Sequence, residues 1–388
     1  MTARPDLRRA RPRTRQRGQA VLLTVVSLAL GLGAVFYSFF GTARQTIASD
    51  KITQDALAQA KAGLIGYAAG DSNRPGSLPC PDTDNDGSAE SPIPTNCPSY
   101  IGRLPWRTLG LPDLRDGSGE PLWYAVSSEF ARNPSCGSSC PLNSDTKGMF
   151  VITGTSPATD IIAVVFAAGQ SVGTQDRSAA NQNTVAHFLE GGNETGIGTS
   201  TFVTGIATDA FNDRLLAVNG ADVMTPVERR AAREILTLLQ SYKTASSDGG
   251  GPLCDCYPWA DISDGSSNNG YDTGRVPLLG ALPHTWGSLG ITVPTWLTTN
   301  RWWWVFFYAI GGPVSESQSG SYLTVNGTYG TSVVLITTGP AGTGRPITSW
   351  AGDSDWPTYV DDSSNSDMGT WFDTPSSTAY ARDRLYTL

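Results

Sequence analysis

The hydrophobic pattern changes character along the chain. From Ala20 to Phe40 (AVLLTVVSLALGLGAVFYSFF) 21 residues run without a charge, inside an uncharged stretch that reaches Ala43. As a helix this core is about 31 Å long, which matches a hydrocarbon layer of about 30 Å. It exceeds the roughly 7–15 apolar residues of a cleaved secretory signal. A transmembrane helix over 19–43 is therefore expected. No proline follows between Arg44 and Ala69, and Ile52, Ala56, Ala60, Leu64 and Tyr67 recur at spacings of four and three. That spacing predicts one continuous helix from about Gln19 to Ala69, roughly 75 Å long, whose second half is amphipathic. A later helix is predicted from the capping box Thr225-Pro226-Val227-Glu228, with Val227, Ala231, Ile235, Leu238 and Tyr242 on one face. Between and after these the apolar runs are short: Leu122–Ser127, Met149–Thr153, Ile161–Ala167, Trp302–Ile310 and Ser332–Thr338 read as strands. The Trp302–Tyr308 run is apolar on both alternating faces. It predicts a central strand, with a surface aromatic platform for a glycan or a partner subunit as the alternative.

Composition narrows the class. Charged residues are 16% of the 388, while glycine (43) and proline (25) are abundant, the mixture of a turn-rich exported β protein. A net charge of −8 with four lysines argues against nucleic acid as a partner. Two histidines leave little material for a His-based metal site or a general base. The charge is also uneven. Residues 1–18 hold seven arginines and one aspartate, whereas 19–388 hold 20 basic and 34 acidic residues. Arginine is dense before the apolar core and sparse after it. The positive-inside rule then predicts a cytoplasmic N-terminus, a single pass through the inner membrane, and periplasmic heads.

A basic leader ending in Arg17-Gly18, an uncharged apolar stretch, an amphipathic continuation and a turn-rich β head together resemble the type IV pilin and type II secretion pseudopilin family. The resemblance covers about residues 13–70. It implies that a prepilin peptidase cuts after Gly18 and that the new N-terminus, Gln19, is methylated. It also implies that the helix packs among the helices of other pilins or pseudopilins. The family's major subunits carry glutamate at the fifth mature position, where this chain has Leu23. That departure implies a minor, tip-type subunit.

The exported part reads as a duplication. Leu78-Pro79-Cys80-Pro81-Asp82, Gly102-Arg103-Leu104-Pro105, Leu122-Trp123-Tyr124-Ala125, the run Ile161–Ala167 and Asp213-Arg214-Leu215 return in order. Their counterparts are Tyr257-Pro258-Trp259-Ala260-Asp261, Gly274-Arg275-Val276-Pro277, Phe306-Phe307-Tyr308-Ala309, the run Val333–Ile336 and Asp383-Arg384-Leu385, at offsets of about 170 to 184. Loop-length differences account for the drift. The expected fold is α+β. A leader (1–18) and a membrane-spanning helix (19–43) precede two tandem helix-plus-antiparallel-sheet heads, 44–220 and 221–388.

Six cysteines in an exported chain suggest disulfides, for which 15 pairings exist. Pairing of near neighbours gives Cys80–Cys97, Cys136–Cys140 and Cys254–Cys256; the spacings do not suit zinc. Inside the first of these loops, Asp82, Asp84 and Asp86 alternate before Gly87, with Ser88 and Glu90 beyond. This is the front half of a calcium loop. Ile93 stands where an EF-hand needs its bidentate glutamate, so an EF-hand is excluded. The pilin resemblance implies that calcium in a head loop remains open, against a solvated Asp/Asn turn. Asp261, Asp264 and Asp272 form a sparser equivalent, and Asp353, Asp355, Asp361, Asp362 and Asp367 a solvated acidic stretch. Gly169-Gln170-Ser171-Val172-Gly173 matches a nucleophile elbow, yet no helical face follows it and a turn explains it as well. The expected function is a non-catalytic minor pilin or pseudopilin, at the tip or initiation complex of a pilus or type II secretion system. A single-pass membrane protein with ligand-binding heads and a hydrolase built on Ser171 are the alternatives.

Overall fold

In the computed structural model the described residues are 16–91, 96–132, 140–247, 255–261, 271–281, 284–315, 318–319, 321–339, 359–360, 365, 369–374 and 383–388. The side chains of 16–23, 31–44, 247, 313–315 and 318–319 also fall outside the description. Helix α1 runs unbroken over Gln16–Gly70. Its C-terminal half buries Thr53, Ala56, Leu57, Ala60, Leu64 and Ala68 at helical spacing, while Ile52, predicted for that face, is exposed. The small alanines let neighbouring elements approach closely. Arg230 closes the helix end, donating from Nη1 to the carbonyls of Ala69 and Asp71 at 2.9 and 2.8 Å.

The first sheet contains β1 (Ile101–Arg103), β2 (Trp123–Val126), β3 (Phe150–Gly154), β4 (Ala158–Ala167), β5 (Thr201–Thr204) and β6 (Arg214–Asn219), with the short helix α2 (Gly196–Thr199) before β5. Its order is β1-β2-β4-β3-β5, and β6 also pairs β4. Helix α3 (Gly220–Ser247) follows directly. Then come β7 (Thr273–Arg275), α4 (Thr295–Thr299), β8 (Phe306–Ile310), β9 (Pro313–Ser315), β10 (Gln318–Ser319), β11 (Leu323–Val325), β12 (Thr328–Thr331), β13 (Val333–Thr337), β14 (Trp371–Phe372) and β15 (Arg384–Thr387). The second main sheet has the order β15-β13-β8-β7, and β12-β11-β14 form a small separate sheet.

The repeated landmarks occupy matching register positions in the two main sheets. Gly102 pairs Tyr124 and Arg103 pairs Trp123, as Gly274 pairs Tyr308 and Arg275 pairs Phe307. Val165 lies between Tyr124 and Leu216, as Leu335 lies between Tyr308 and Tyr386. Asp82 bridges Arg103 and Asp261 bridges Arg275. The Tyr124 hydroxyl donates to the Pro79 carbonyl, and that of Tyr308 to Pro258.

The two sheets do not have separate interiors. One apolar cluster holds the buried face of α1, the α3 residues Val227, Ala231, Ile235, Leu238 and Tyr242, and one face of each sheet: Tyr124, Val126 and Val165 from the first, Phe306, Tyr308 and Leu335 from the second. The outer face of the first sheet (Trp123, Val164, Phe166) packs on Phe188, Leu189 and Phe202. That of the second (Phe307, Val334, Ile336) packs on Leu323, Tyr359, Val360 and Phe372. The helix pair is thus the filling between two sheets. This corrects the expectation of two tandem heads, each on a helix of its own: α1 and α3 pack on one another and share a single interior with both sheets.

The expected membrane-spanning helix is corrected as well. Among the described residues no helix is long and apolar enough to cross a membrane. The single-pass placement in the inner membrane with periplasmic heads is withdrawn on that finding. Of the expected leader 1–18, residues 1–15 lie outside the described residues, and Gly18 and Gln19 fall in the first turns of α1.

Two smaller expectations also change. Trp302–Trp304 form a 3-10 turn and the strand begins at Phe306; Trp302 and Trp303 are buried, so this run is not a surface platform. Helix α3 begins at Gly220, six residues before Pro226. Asn219 and Asp222 cap it reciprocally, each side chain accepting the other's backbone N–H at 2.9 Å. Glu228 is therefore free of capping and turns into the core.

Candidate functional site

The acidic loop leaves α1 through Leu78 and is pinned by the Cys80–Cys97 disulfide, whose Cα atoms are 5.4 Å apart. Cys140 and Cys256 are disulfide-bonded too, while Cys136 and Cys254 lie outside the described residues. Asp82 ties the loop to the sheet: its N–H donates to the Arg103 carbonyl at 3.0 Å and its carbonyl accepts the Arg103 N–H at 2.6 Å. Its buried carboxylate then organises the turn. Oδ1 accepts the N–H groups of Asp84 (3.1 Å) and Asn85 (2.6 Å), and Oδ2 that of Gly87 (2.7 Å). Gly87 has φ +85, and a Cβ there would lie 2.6 Å from the Trp106 ring, so the turn requires glycine. Asp84 accepts the Asp86 N–H, and Asp86 accepts the Ser88 N–H at 2.6 Å.

Carboxylate oxygens of Asp82, Asp84 and Asp86 come within 4.8 Å of one another, with Asp84 and Asp86 exposed. Burial raises the Asp82 carboxyl above its ordinary range, opposed by the Gly87 and Asn85 N–H groups. Hydrogen bonds from Ser88 lower Asp86. The geometry brings together the three aspartates but not Glu90, whose Oε1 accepts the N–H and hydroxyl of Thr83 at 3.1 and 2.6 Å. Ser88 serves Asp86 rather than the cluster. A three-carboxylate set of hard oxygens at a loop surface suits a divalent cation such as calcium. In the second copy Asp261 is buried and repeats the bridge to Arg275, Asp272 is half-buried, and Asp264 lies outside the described residues, as does the stretch Asp353 to Asp367 named above.

No model of a known protein family matches this chain, and no curated protein and no solved structure matches it.

The catalytic candidates are not assembled. Ser171 is exposed in the turn after β4, and His187 Nδ1 accepts the Asp176 N–H at 3.0 Å. His284 exchanges backbone hydrogen bonds with the Tyr242 hydroxyl. A groove of about 530 Å³ opens beside α1, lined among others by Ser49, Asp50, Thr53, Asp116, Asn212 and Arg214. Ala167 and Ala207 interrupt its polar lining, and Arg214 pairs with Asp50 in its wall at 2.7 Å.

Three buried polar arrangements escape sequence reasoning as chemistry, although their residues sit in the repeated landmarks. The Arg103 guanidinium lies 4.1 Å from the ring centres of both Trp123 and Phe188, and Arg275 lies 4.1 Å from that of Trp304. Burial pulls both guanidiniums down to about 10. Asp213 accepts the Glu190 N–H and the Asn193 amide, while Glu190 accepts the Asp213 N–H in return. Burial first, and the Glu190 carboxylate beside it, push Asp213 up to about 8. Glu228, buried in α3, takes Arg384, Ser144 and Thr337 as partners.

Proposed function

We propose that this chain is a non-catalytic assembly subunit of the minor pilin or pseudopilin kind. One observation carries the reading. The C-terminal half of α1 is fixed in the core, whereas Thr24–Leu30, farther along the same helix, is exposed, with Val25, Leu28 and Leu30 at 60, 69 and 70%. A row of bare aliphatic side chains on a rigid rod is stable in water only when something apolar covers it. Helices of like subunits are suitable covers. Calcium on Asp82, Asp84 and Asp86 would brace the head loop in this reading.

N-terminal sequencing of the protein from its native cells tests the processing: a methylated Gln19 is expected, and an intact Met1 removes the reading. Leu28→Cys is expected to crosslink to a neighbouring subunit of the same assembly in cells. A variant that stays monomeric under oxidation argues against helix-mediated assembly.

A further inference from the structure

Strands β5 and β14 are the last strands of their sheets, each paired in parallel to one neighbour, β3 and β11. An edge strand offers its outward N–H and C=O groups to any strand that reaches it. Here an asparagine side chain closes the edge, at the same place in both halves. Asn193 accepts the Val203 N–H at 2.8 Å and donates to the Val203 carbonyl at 3.2 Å. Asn365 accepts the Asp373 N–H at 2.9 Å and donates to the Asp373 carbonyl at 3.0 Å. Val203 follows Phe202 and Asp373 follows Phe372, the residues through which the two strands enter the outer cores. Both asparagines are wholly buried. Each amide stands in for a neighbouring strand at one residue.

Behind the first of these amides lies a pair of acids. Asn193 Nδ2 also donates to Asp213 Oδ2 at 2.9 Å, and that oxygen accepts the Glu190 N–H at 3.0 Å. Glu190 Oε1 in turn accepts the N–H groups of Asn212 and Asp213 at 2.6 and 3.1 Å. These bonds hold the two carboxyl groups side by side, with Asp213 Oδ1 buried and without a hydrogen-bond partner. The charged groups packed around them are engaged elsewhere. Arg177 turns to Glu120 at 3.3 Å and Arg214 to Asp50 at 2.7 Å. Glu194 accepts the Gly192 N–H, His187 accepts that of Asp176, and Asp209 is exposed. Among the described residues no cation pairs with Asp213 or Glu190. In the second half Asp383, also buried, holds the repeat position of Asp213.

From this arrangement we infer that Asn193 is a proton-controlled guard of the β5 edge, seated while the Asp213–Glu190 pair holds a proton and displaced from Val203 when both carboxylates are charged. Two adjacent carboxylates kept from water resist ionising together. The Asn193 amide and the Glu190 N–H favour the charged form of Asp213, but burial outweighs them and raises it to about 8. Displacing the segment that carries Glu190 and Asn193 admits water, which carries the second charge. The closed form thus binds a proton that the open form releases. Closure is complete below the ordinary carboxyl value near 4 and is lost as pH rises through about 8. Opening bares the N–H and carbonyl of Val203, and β5 can then pair with another strand.

Hydrogen exchange of the full chain, read at single residues and corrected for the intrinsic rate, tests the guard. Protection of the Val203 amide is expected to fall about tenfold or more between pH 5 and pH 8. At pH 8 it should exchange at least about tenfold faster than Val164, which lies between β2 and β6 in the same sheet, showing that the edge opens without the sheet. Asp213→Asn, uncharged at both pH values, should remove the pH difference at Val203. Asn193→Ala should leave Val203 unprotected at both while Val164 stays protected. Unchanged Val203 protection between pH 5 and pH 8 in the wild type overturns the guard, and this comparison needs no variant to fold. So does exchange of Val203 and Val164 at one common rate at pH 8, or a pH difference that Asp213→Asn keeps.

Discussion

Glu228 of α3 and Arg384 of β15 meet at 2.6 Å, with the carboxylate wholly buried. The same carboxylate accepts the Ser144 hydroxyl from the first half at 2.8 Å and bonds Thr337 of β13. One side chain therefore joins a loop of the first half to the sheet of the second. Removing one partner leaves a buried charge unmatched, so Arg384→Ala is expected to cost about 3 kcal/mol or more in urea unfolding. Replacing both, as Glu228→Met with Arg384→Leu, should cost less than the sum of the single changes. Additive costs would show that the two groups act independently.

Asp213 sets a pH dependence. Its folded value of about 8 stands above the ordinary carboxyl value near 4. The folded state thus holds a proton that the unfolded chain releases. The stability this group contributes is complete below about pH 4 and is lost as pH rises to about 8. Facing it are Glu190 and the amide of Asn193; Glu190 is in turn held by Gln175, which also bonds Arg177. Melting temperatures at pH 5 and pH 8 should differ more for the wild type than for Asp213→Asn. Parallel profiles would show that the proton is not held there.

The acidic loop makes a prediction about metal. If Asp82, Asp84 and Asp86 take calcium, the ion should raise the melting temperature and a chelator reverse the gain. Asp84→Ala should abolish the response while leaving the calcium-free melt close to wild type, because Asp84 is exposed. Identical melts with and without calcium would retire the site.

The disulfide should be felt locally and globally. Closing the 17-residue separation between Cys80 and Cys97 restricts the unfolded chain by about 3 kcal/mol. Replacing both cysteines with serine should lower stability by about that amount and also weaken any calcium response, since the bridge closes the loop that carries the aspartates. A double variant with unchanged stability contradicts the constraint.

Periodic, uninterrupted features were legible in the sequence. The rod of α1, the buried face of α3 and the β4 run declare themselves through spacing and the absence of proline. The repeat was legible because Gly-Arg, the aromatic pair before alanine, and Asp-Arg-Leu hold fixed register positions. What stayed hidden depends on contacts distant in sequence. Periodicity cannot show that α1 and α3 share one interior, because each face would look the same beside its own sheet. The Trp302–Trp304 turn hides behind an apolar run that a strand would also give. The start of α3 was misplaced because Pro226 and Glu228 imitate a cap, while Asn219 and Asp222 provide the real one. Within the acidic loop, Glu90 was grouped with the aspartates by proximity, but the hydroxyl and N–H of Thr83 claim it instead.

The placement of the two helices has a mechanical consequence. A tensile force entering through the free end of α1 does not act on one sheet alone. It passes through the α1–α3 contact and through Arg230 at the end of α1, and so is divided between both halves. The doubled body resists extraction as a single plug, with a six-stranded and a four-stranded sheet set together against the load.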